Sequence, residues 1–371
     1  MSDGNHRRAF EIDGKVIDDS SDCYVIAEVG HNHQGDIEQA KRMFSEAKEC
    51  GADAVKLQKR NNRALFTKEY YSRPYDNPNS FGTTYGDHRE ALEFGRSEYI
   101  ELQAYSKEIG ITFFATAFDP PSVELLAELD MPAYKVASGD LTNTLLLRCI
   151  AETGKPMIMS TGAAVLEDVL RAYNTIAEVN PNVAVLQCTA SYPPAWEELD
   201  LRVISTYREL FPTSVVGFSS HDSGIAMALA AYVLGGRIVE KHFTLNRAMR
   251  GTDHGFSLEP QGLSKLVRDL RRTKVALGDG TKQMYPCEVE PSVKMGKKLV
   301  TTGALPAGHV LSRDDIAAKS PGDGLPPYEI HNLLGRTLRH PVDEETTLTF
   351  ELLEEAVPDI ASTAYSPVDV G

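Results

Sequence analysis

Eight short apolar runs recur along the sequence, and helix-like segments separate them. The runs are continuous rather than alternating, as expected for strands of a parallel sheet that helices cover on both faces. Eight strand–helix units within about 250 residues predict an α/β fold, the (β/α)8 TIM barrel. The predicted strands lie at residues 23–29, 54–58, 111–116, 133–138, 156–161, 183–189, 215–220 and 237–244.

Changes in the sequence pattern divide the chain into five segments. A long insertion at 59–94, rich in Tyr, Asn and Arg, interrupts the barrel pattern, and such loops are often functional. Beyond the last helix-like segment, short strand signals broken by Gly and Pro indicate a small β-rich domain. The predicted segments are an N-terminal extension at 1–20, a TIM barrel at 21–277, a linker at 278–296, a β-rich domain at 297–356 and a disordered tail at 357–371.

The charge balance argues against nucleic acid as a partner. The 371 residues include 38 Lys or Arg and 53 Asp or Glu, and the formal net charge of -15 would repel a phosphate backbone. The longest apolar stretch, 225–236, is too short to span a bilayer, and the N-terminal residues lack the apolar region of a secretory signal. Five cysteines without CxxC spacing favour reduced thiols. We therefore expect a cytoplasmic protein without a membrane partner.

Polar or charged residues stand at the C-terminal ends of all eight predicted strands. In a (β/α)8 barrel these ends converge on one open face, where active sites lie. The candidates read from the strand ends are Glu28, Lys56, Gln58, Thr116, Lys135, Ser138, Asp140, Ser160, Thr189, Tyr192, Ser219, His221, Lys241 and His242.

His221 and His242 follow the last two strands and predict a metal site. Two neutral imidazoles with carboxylates nearby suit a borderline divalent ion such as Mn²⁺, Zn²⁺ or Fe²⁺. The alternative is that each histidine only hydrogen-bonds the end of its strand. His31 and His33 are secondary candidates, because a glycine-flanked turn tolerates His for conformational reasons alone.

Lysine and hydroxyl side chains on adjoining strand ends predict an anion site. Lys135 with Thr116, Ser138, Ser160 and Ser219 resembles a phosphate cradle built from side chains, since the chain has neither a P-loop motif nor a GxGxxG motif. The alternative is that the hydroxyls cap the helices that follow.

Three acids complete the candidate site: Glu28, Asp140 and Asp253. A carboxylate near a metal can hold a water or act as a general base. Ion pairing with Lys56 or Lys241 is the structural alternative.

Several segments of the chain resemble the sialic acid synthase family, which condenses phosphoenolpyruvate with N-acetylmannosamine or its 6-phosphate. They include IAEVGHNHQGD, ADAVKLQK, YKVASGD, GFSSHDSG and EKHFTLNRAMRGTDHGFSLEP, and the C-terminal domain resembles the antifreeze-like SAF module. TYGDHREALEF and LDLRVISTYRELFP are most similar to the animal sialic acid phosphate synthases. The resemblance implies that C3 of phosphoenolpyruvate attacks the aldehyde carbon, water captures C2, and phosphate leaves by C–O cleavage.

The resemblance also implies roles for individual residues. The metal, Mn²⁺ with Mg²⁺ or Co²⁺ as alternatives, would lie on His221 and His242, and Glu28 would handle the proton. The implied contacts to phosphoenolpyruvate are Lys56, Thr116, Lys135, Ser138, Ser160 and Ser219. The implied sugar contacts are Glu28, Gln58, Asp140, Tyr192 and Asp253.

Two departures from the family pattern bear on substrate recognition. Bacterial members carry an Arg before the Pro-Gly of the SAF module that reaches the acyl group of the neighbouring protomer's substrate. This chain has Ser320 there, with Lys319 beside it as the candidate contact. Ala190 and Ser191 stand where those members have an Asn. The resemblance further implies a domain-swapped homodimer, in which each SAF module covers the partner's site.

The sequence is compatible with more than one sugar substrate and with two alternative functions. One alternative is a related phosphoenolpyruvate-dependent aldol-type synthase that uses mannose 6-phosphate or a diamino sugar. The other is a catalytically silent carbohydrate-binding relative, against which the presence of His221, His242, Lys56 and Glu28 argues. Five arginines on or near the active face are either ligands of a sugar phosphate or solvated surface: Arg60, Arg63, Arg73, Arg247 and Arg250.

Overall fold

The structure is a computed structural model that describes residues 8–354. The chain divides into two units, Met1–Gly278 and Asp279–Gly371. The tail at 357–371, predicted to be disordered, lies outside the described residues.

A barrel of eight parallel strands forms most of the first unit. A short antiparallel hairpin, β1 (Ala9–Ile12) and β2 (Lys15–Asp18), precedes it. Strands β3 to β10 then follow one another around the barrel in chain order, and β10 pairs with β3 to close it. All eight strands predicted from the apolar runs are present, which confirms the (β/α)8 fold. They are β3 (Tyr24–Gly30), β4 (Ala54–Lys59), β5 (Thr112–Ala117), β6 (Tyr134–Val136), β7 (Met157–Ser160), β8 (Val183–Cys188), β9 (Val216–Ser220) and β10 (Ile238–His242).

Helices surround the barrel, and the longer ones bury one apolar face each. In the first of them Asp36 caps the N-terminus by accepting two backbone N–H bonds, and Met43, Phe44 and Ala47 are buried against the strands. The helices of this unit are α1 (Ile37–Glu49), α2 (Asn62–Leu65), α3 (Lys68–Tyr71), α4 (Tyr85–Ala91), α5 (Arg96–Ile109), α6 (Pro120–Glu128), α7 (Thr144–Ala151), α8 (Leu166–Ala177), α9 (Val203–Leu210), α10 (Ala226–Val233) and α11 (Pro260–Leu277). None of the helices within residues 8–354 is long and apolar enough to cross a membrane.

The hairpin β1–β2 closes the N-terminal end of the barrel. Phe10, Ile12 and Ile17 are buried in one cluster with the inward side chains at the strand starts, among them Tyr24 and Phe114. The sequence pattern did not reveal this hairpin, because four-residue strands are too short for a clear alternation. With this end filled, the C-terminal end of the barrel remains open for chemistry.

The second unit contains the small β-rich domain. Strands β11 (Lys298–Thr301) and β12 (Ile316–Lys319) pair antiparallel, and Leu299, Ile316 and Leu333 belong to its own buried core. The segment predicted to be an irregular linker contains a helix, α12 (Val289–Met295). A helix rises only about 1.5 Å per residue, so this linker reaches less far than an extended chain.

Candidate active site

The C-terminal ends of the barrel strands surround a cavity of about 510 Å³. Of the fourteen residues assigned above to the metal, to proton transfer or to a substrate, twelve line it. They are Glu28, Lys56, Gln58, Thr116, Lys135, Ser138, Ser160, Tyr192, Ser219, His221, His242 and Asp253.

Strand register places these side chains side by side. Glu28 on β3 stands opposite Lys56 on β4, and His242 on β10 stands opposite Glu28 on the other side. Successive strand residues point to opposite faces, so Lys56 faces the cavity, whereas Lys59 on the same strand does not line it. The inward positions of neighbouring strands therefore build one continuous polar surface.

Two buried lysines and two buried carboxylates occupy the floor of the cavity. Lys56 Nζ lies 2.5 Å from Glu28 Oε2 and donates to Thr116 Oγ1 at 2.8 Å. Lys135 Nζ donates to Ser160 Oγ at 2.6 Å. Glu240 Oε1 lies 3.8 Å from the Nζ atom of each lysine, midway between the two ammonium groups.

Glu240 was not among the site residues predicted from the sequence, although the periodicity of its strand pointed to it. It stands two residues before His242 on β10, so the period of two along a strand places both on the same face.

The pKa values of the residues on the cavity floor are shifted in different directions. Burial raises the pKa of Glu28, and the negative charge of Glu240 adds to that effect, while Lys56 opposes it. Burial would also raise the pKa of Glu240, but the two ammonium groups lower it below its usual value. Burial lowers the pKa of Lys135. Of the two carboxyl groups, Glu28 is therefore the one prepared to exchange a proton.

The two predicted metal ligands lie together above this floor. The ring centroids of His221 and His242 are 5.4 Å apart, and Tyr192 stacks beside His221 with a centroid distance of 4.1 Å. Burial lowers the pKa of His221 to about 4 and also lowers that of His242, so both rings are neutral near pH 7.

The histidine pair fits a divalent cation. His221 Nδ1 contacts the backbone carbonyl of Thr189 at 3.0 Å, an arrangement that leaves Nε2 free as a ligand. His242 Nδ1 is buried and has no hydrogen-bond partner among the described residues. Within residues 8–354 no three His, Cys, Asp or Glu side chains are grouped to hold a metal. An ion held by the two imidazoles alone would have further coordination positions for water or substrate.

Four of the strand-end or substrate candidates do not line the cavity: Asp140, Thr189, Lys241 and Lys319. The hydroxyl of Thr189 donates to the backbone carbonyl of Glu198 at 2.7 Å. Asp140 ends a short 3-10 helix, Ser138–Asp140, whose first two residues do line it. Lys241 is buried in an ion pair with Asp222 at 2.9 Å, and Asp222 is not one of the three acids considered from the sequence. Lys319 belongs to β12 of the second unit, where it pairs with Glu345.

A second group of cations stands at the rim of the cavity. It consists of Arg60, which follows β4, and Arg89 on α4, with His31 between them. Arg60 is the one residue of the five arginines considered from the sequence that lines the cavity, and Arg89 was missed. The position of Arg89 depends on how the insertion folds, and no local sequence pattern predicts that fold.

Comparison with known proteins assigns both units. Residues 43–282 match the NeuB family, and residues 298–354 match the SAF domain. The chain is 42% identical over 342 residues to the human N-acetylneuraminate-9-phosphate synthase, covering 92% of this chain and 95% of that protein. It is 32% identical over 341 residues to the N,N'-diacetyllegionaminic acid synthase of Legionella pneumophila, covering 90% and 96%. The sialic acid synthetase structure from Leptospira borgpetersenii superposes with a TM-score of 0.68 at 30% identity, covering 77% of this chain and 96% of that one.

Proposed function

Because this chain belongs to the NeuB family, we propose that it condenses phosphoenolpyruvate with an N-acylmannosamine-type aldose or its 6-phosphate and releases phosphate. It is a nonulosonate synthase, like its relatives that make N-acetylneuraminate 9-phosphate and diacetyllegionaminic acid. The condensation adds three carbons to the aldehyde, so C6 of the aldose becomes C9 of the product. A 9-phosphate product therefore requires a 6-phosphate acceptor.

The observation that carries the proposal is the pair of buried lysines on the cavity floor. Lys56 and Lys135 both point into the cavity, and their ammonium groups share Glu240. Glu28 and Glu240 balance these charges in the free protein, so an anionic donor can enter once additional positive charge is available beside it. We infer that the lysines and the hydroxyls of Thr116, Ser160, Ser138 and Ser219 hold phosphoenolpyruvate.

Glu28 is placed to move the proton in this reaction. Its Oε1 accepts a hydrogen bond from Gln58 Nε2 at 2.7 Å, which orients the carboxylate. As C3 of phosphoenolpyruvate attacks the aldehyde carbon, positive charge develops at C2 and water adds there. Glu28 takes a proton from that water and passes it to the former aldehyde oxygen. The tetrahedral intermediate then loses phosphate by cleavage of its C–O bond, and the proton of its C2 hydroxyl leaves with the phosphate, so that C2 becomes a ketone.

We propose that His221 and His242 hold a divalent cation, Mn²⁺ first and Mg²⁺ or Co²⁺ as alternatives. When bound, such an ion polarises the aldehyde oxygen and adds positive charge beside the donor. The unpartnered, buried Nδ1 of His242 supports this assignment.

We propose a homodimer in which the SAF domain of one protomer covers the barrel mouth of the other. The linker 278–296 holds 19 residues, seven of them in α12. Extended segments and a helix of these lengths together reach about 50 Å. The test mixes a His221→Ala chain that has an intact SAF domain with a chain truncated after Met295. Activity that appears only in re-formed heterodimers supports the exchange, and heterodimers as inactive as their parents contradict it.

The five cysteines support the cytoplasmic location that we propose, because none of them is paired.

The proposed reaction is tested by offering the full chain phosphoenolpyruvate and Mn²⁺ with a panel of aldoses. The panel contains N-acetylmannosamine, mannose and a diamino sugar, the first two also as their 6-phosphates. Mass spectrometry should detect a product that is three carbons longer than an N-acylmannosamine-type substrate, with one phosphate released per product. Turnover of mannose 6-phosphate alone, or of none of the panel, contradicts the proposal.

A further inference from the structure

The cavity has a second positively charged end that the reaction at the lysines does not use. A chain of polar contacts leads to it from the floor. Glu28 bonds both Lys56 and Gln58, and Gln58 Oε1 accepts from Arg60 Nη2 at 2.6 Å. The floor and the rim are thus two cationic sites at opposite ends of one polar wall.

His31 lies between two guanidinium groups at this rim. Arg60 Nη1 is 3.1 Å from His31 Nε2, and Arg89 Nη1 is 3.2 Å from His31 Nδ1. Burial and the two arginines lower the pKa of His31 well below its usual value, so the ring is neutral. A neutral imidazole has only one nitrogen that can accept a hydrogen bond. At least one of the two guanidinium groups therefore faces a ring N–H instead of an acceptor.

No carboxylate within the described part of the chain pairs directly with either of these arginines. Among residues 8–354 neither guanidinium forms an ion pair with a carboxylate, since the nearby Glu93 binds Lys59 Nζ at 2.7 Å. Burial lowers the pKa of Arg60 to about 10, and the positive charge of Arg89 contributes to the decrease. Glu93 and Asp253 attract Arg60 without pairing with it directly, so two adjacent cations, one of them 8% exposed, are only partly compensated in the free protein.

The arginines are nevertheless held firmly in place. The guanidinium carbon of Arg60 stacks 3.7 Å from the ring centroid of Phe118. Arg89 donates to the hydroxyl of Tyr85, one turn earlier on α4, at 3.0 and 2.8 Å. Thr84 and Asp87 form a capping box that fixes the start of this helix. The insertion thus presents a preformed pair of forked donors to the cavity.

We propose that Arg60 and Arg89 bind the phosphoryl group of an aldose that is phosphorylated at the end opposite its aldehyde, an assignment that rests on the proposed condensation. Guanidinium groups match the oxygens of a phosphate monoester in geometry and in charge. The donor anion occupies the lysines on the floor, so the anion at the rim belongs to the acceptor. The preferred acceptor is then the sugar 6-phosphate rather than the free sugar.

The test compares N-acetylmannosamine 6-phosphate with N-acetylmannosamine, at saturating phosphoenolpyruvate and Mn²⁺. The unaltered chain should have a kcat/KM at least about 100-fold higher for the phosphorylated sugar, as expected for the loss of several charge-assisted hydrogen bonds. Arg89→Gln should lower that kcat/KM about 10- to 100-fold while changing kcat/KM for the free sugar less than about threefold. The KM for phosphoenolpyruvate should not change.

Arg63→Gln is the matched control, because Arg63 belongs to the same insertion but stacks on Tyr71 and does not line the cavity. It should behave like the unaltered chain. Equal kcat/KM for the two sugars, an equal loss for both in Arg89→Gln, or a raised KM for phosphoenolpyruvate in Arg89→Gln would each overturn the assignment.

A binding measurement separates this proposal from the proposed reaction. Calorimetric titration of the full chain with each sugar needs no turnover. If no sugar is converted, the reaction fails, but the phosphate site still stands when the 6-phosphate binds more tightly than the free sugar and Arg89→Gln weakens that binding about 10- to 100-fold. If the 6-phosphate binds no more tightly than the free sugar, the phosphate site is wrong whatever the turnover shows.

Discussion

Replacing Lys56 by Met should weaken phosphoenolpyruvate binding, whereas replacing Lys59 by Met should not. Both lysines lie on β4, and both form a buried ion pair with a glutamate. The side chain of Lys56 is 3% exposed and that of Lys59 is 9% exposed. Breaking such a pair costs about 3–5 kcal/mol of stability, out of a total of about 5–15 kcal/mol, so both variants should lose stability to a similar degree.

The two variants differ in what their lysine faces. Lys56 points into the cavity toward the donor site, and Lys59 points away from it. Loss of one charge-assisted hydrogen bond, about 1.5–3 kcal/mol, should raise the Kd for phosphoenolpyruvate about 10- to 150-fold in Lys56→Met. In each variant the remaining glutamate, Glu28 or Glu93, has a pKa that burial raises, so it can take up a proton and part of the lost stability is recovered.

Calorimetric titration with phosphoenolpyruvate in the presence of Mn²⁺ measures this Kd without requiring turnover. Urea unfolding of each variant establishes that the protein is folded at the temperature of the titration. An unchanged Kd in Lys56→Met would refute the donor site. An equal rise in Kd in both variants would show that lost stability, not lost contact, explains the effect.

Three further predictions concern the metal, the hairpin and the second unit. His221→Ala and His242→Ala should each lower Mn²⁺ binding in equilibrium dialysis, and a double variant that still binds one ion per chain would contradict the assignment. Phe10→Ala should lower the free energy of unfolding by about 3–5 kcal/mol without changing the KM for phosphoenolpyruvate. Val16→Ala, on the exposed face of the same hairpin, should change the free energy of unfolding little. Hydrogen bonds from His309 and Ser312 lower the pKa of Asp315 to about 2. The pKa of an aspartate in the unfolded chain is about 3.9, so this carboxylate stabilises the fold above pH 4, and its contribution is lost as the pH falls toward 2. Asp315→Asn should therefore reduce the pH dependence of Tm between pH 4 and pH 2. An unchanged dependence of Tm on pH would refute this role of Asp315.

The barrel and the floor of its cavity could be predicted from the sequence because both depend on local periodicity. Apolar runs locate the strands, and the end of a parallel strand fixes which face of the fold its polar residues reach. That reasoning found Lys56, Lys135, His221 and His242, which line one cavity in the structure.

Residues that depend on tertiary packing could not be found in this way. Arg89 reaches the cavity only because the insertion folds into short helices and α4 lies over the strand ends. Lys241 was a candidate from the sequence in the same way as Lys56. In the structure, however, it does not line the cavity and forms an ion pair with Asp222. The hairpin that fills the N-terminal end of the barrel is stabilised by Phe10 and Ile17, which pack against strands distant in the sequence. Its own short strands show no alternation of apolar and polar residues clear enough to predict it.

The most direct test of the central claim follows the bridging oxygen of phosphoenolpyruvate. The account describes a condensation in which water adds to C2 and phosphate leaves with the oxygen that joined it to C2. The full chain is therefore supplied with phosphoenolpyruvate labelled with ¹⁸O at that oxygen, together with N-acetylmannosamine 6-phosphate and Mn²⁺. The account predicts that the label appears in the released phosphate and that the new oxygen on C2 of the product comes from water. Label retained in the sugar product, or no product that is three carbons longer than the acceptor, would contradict it.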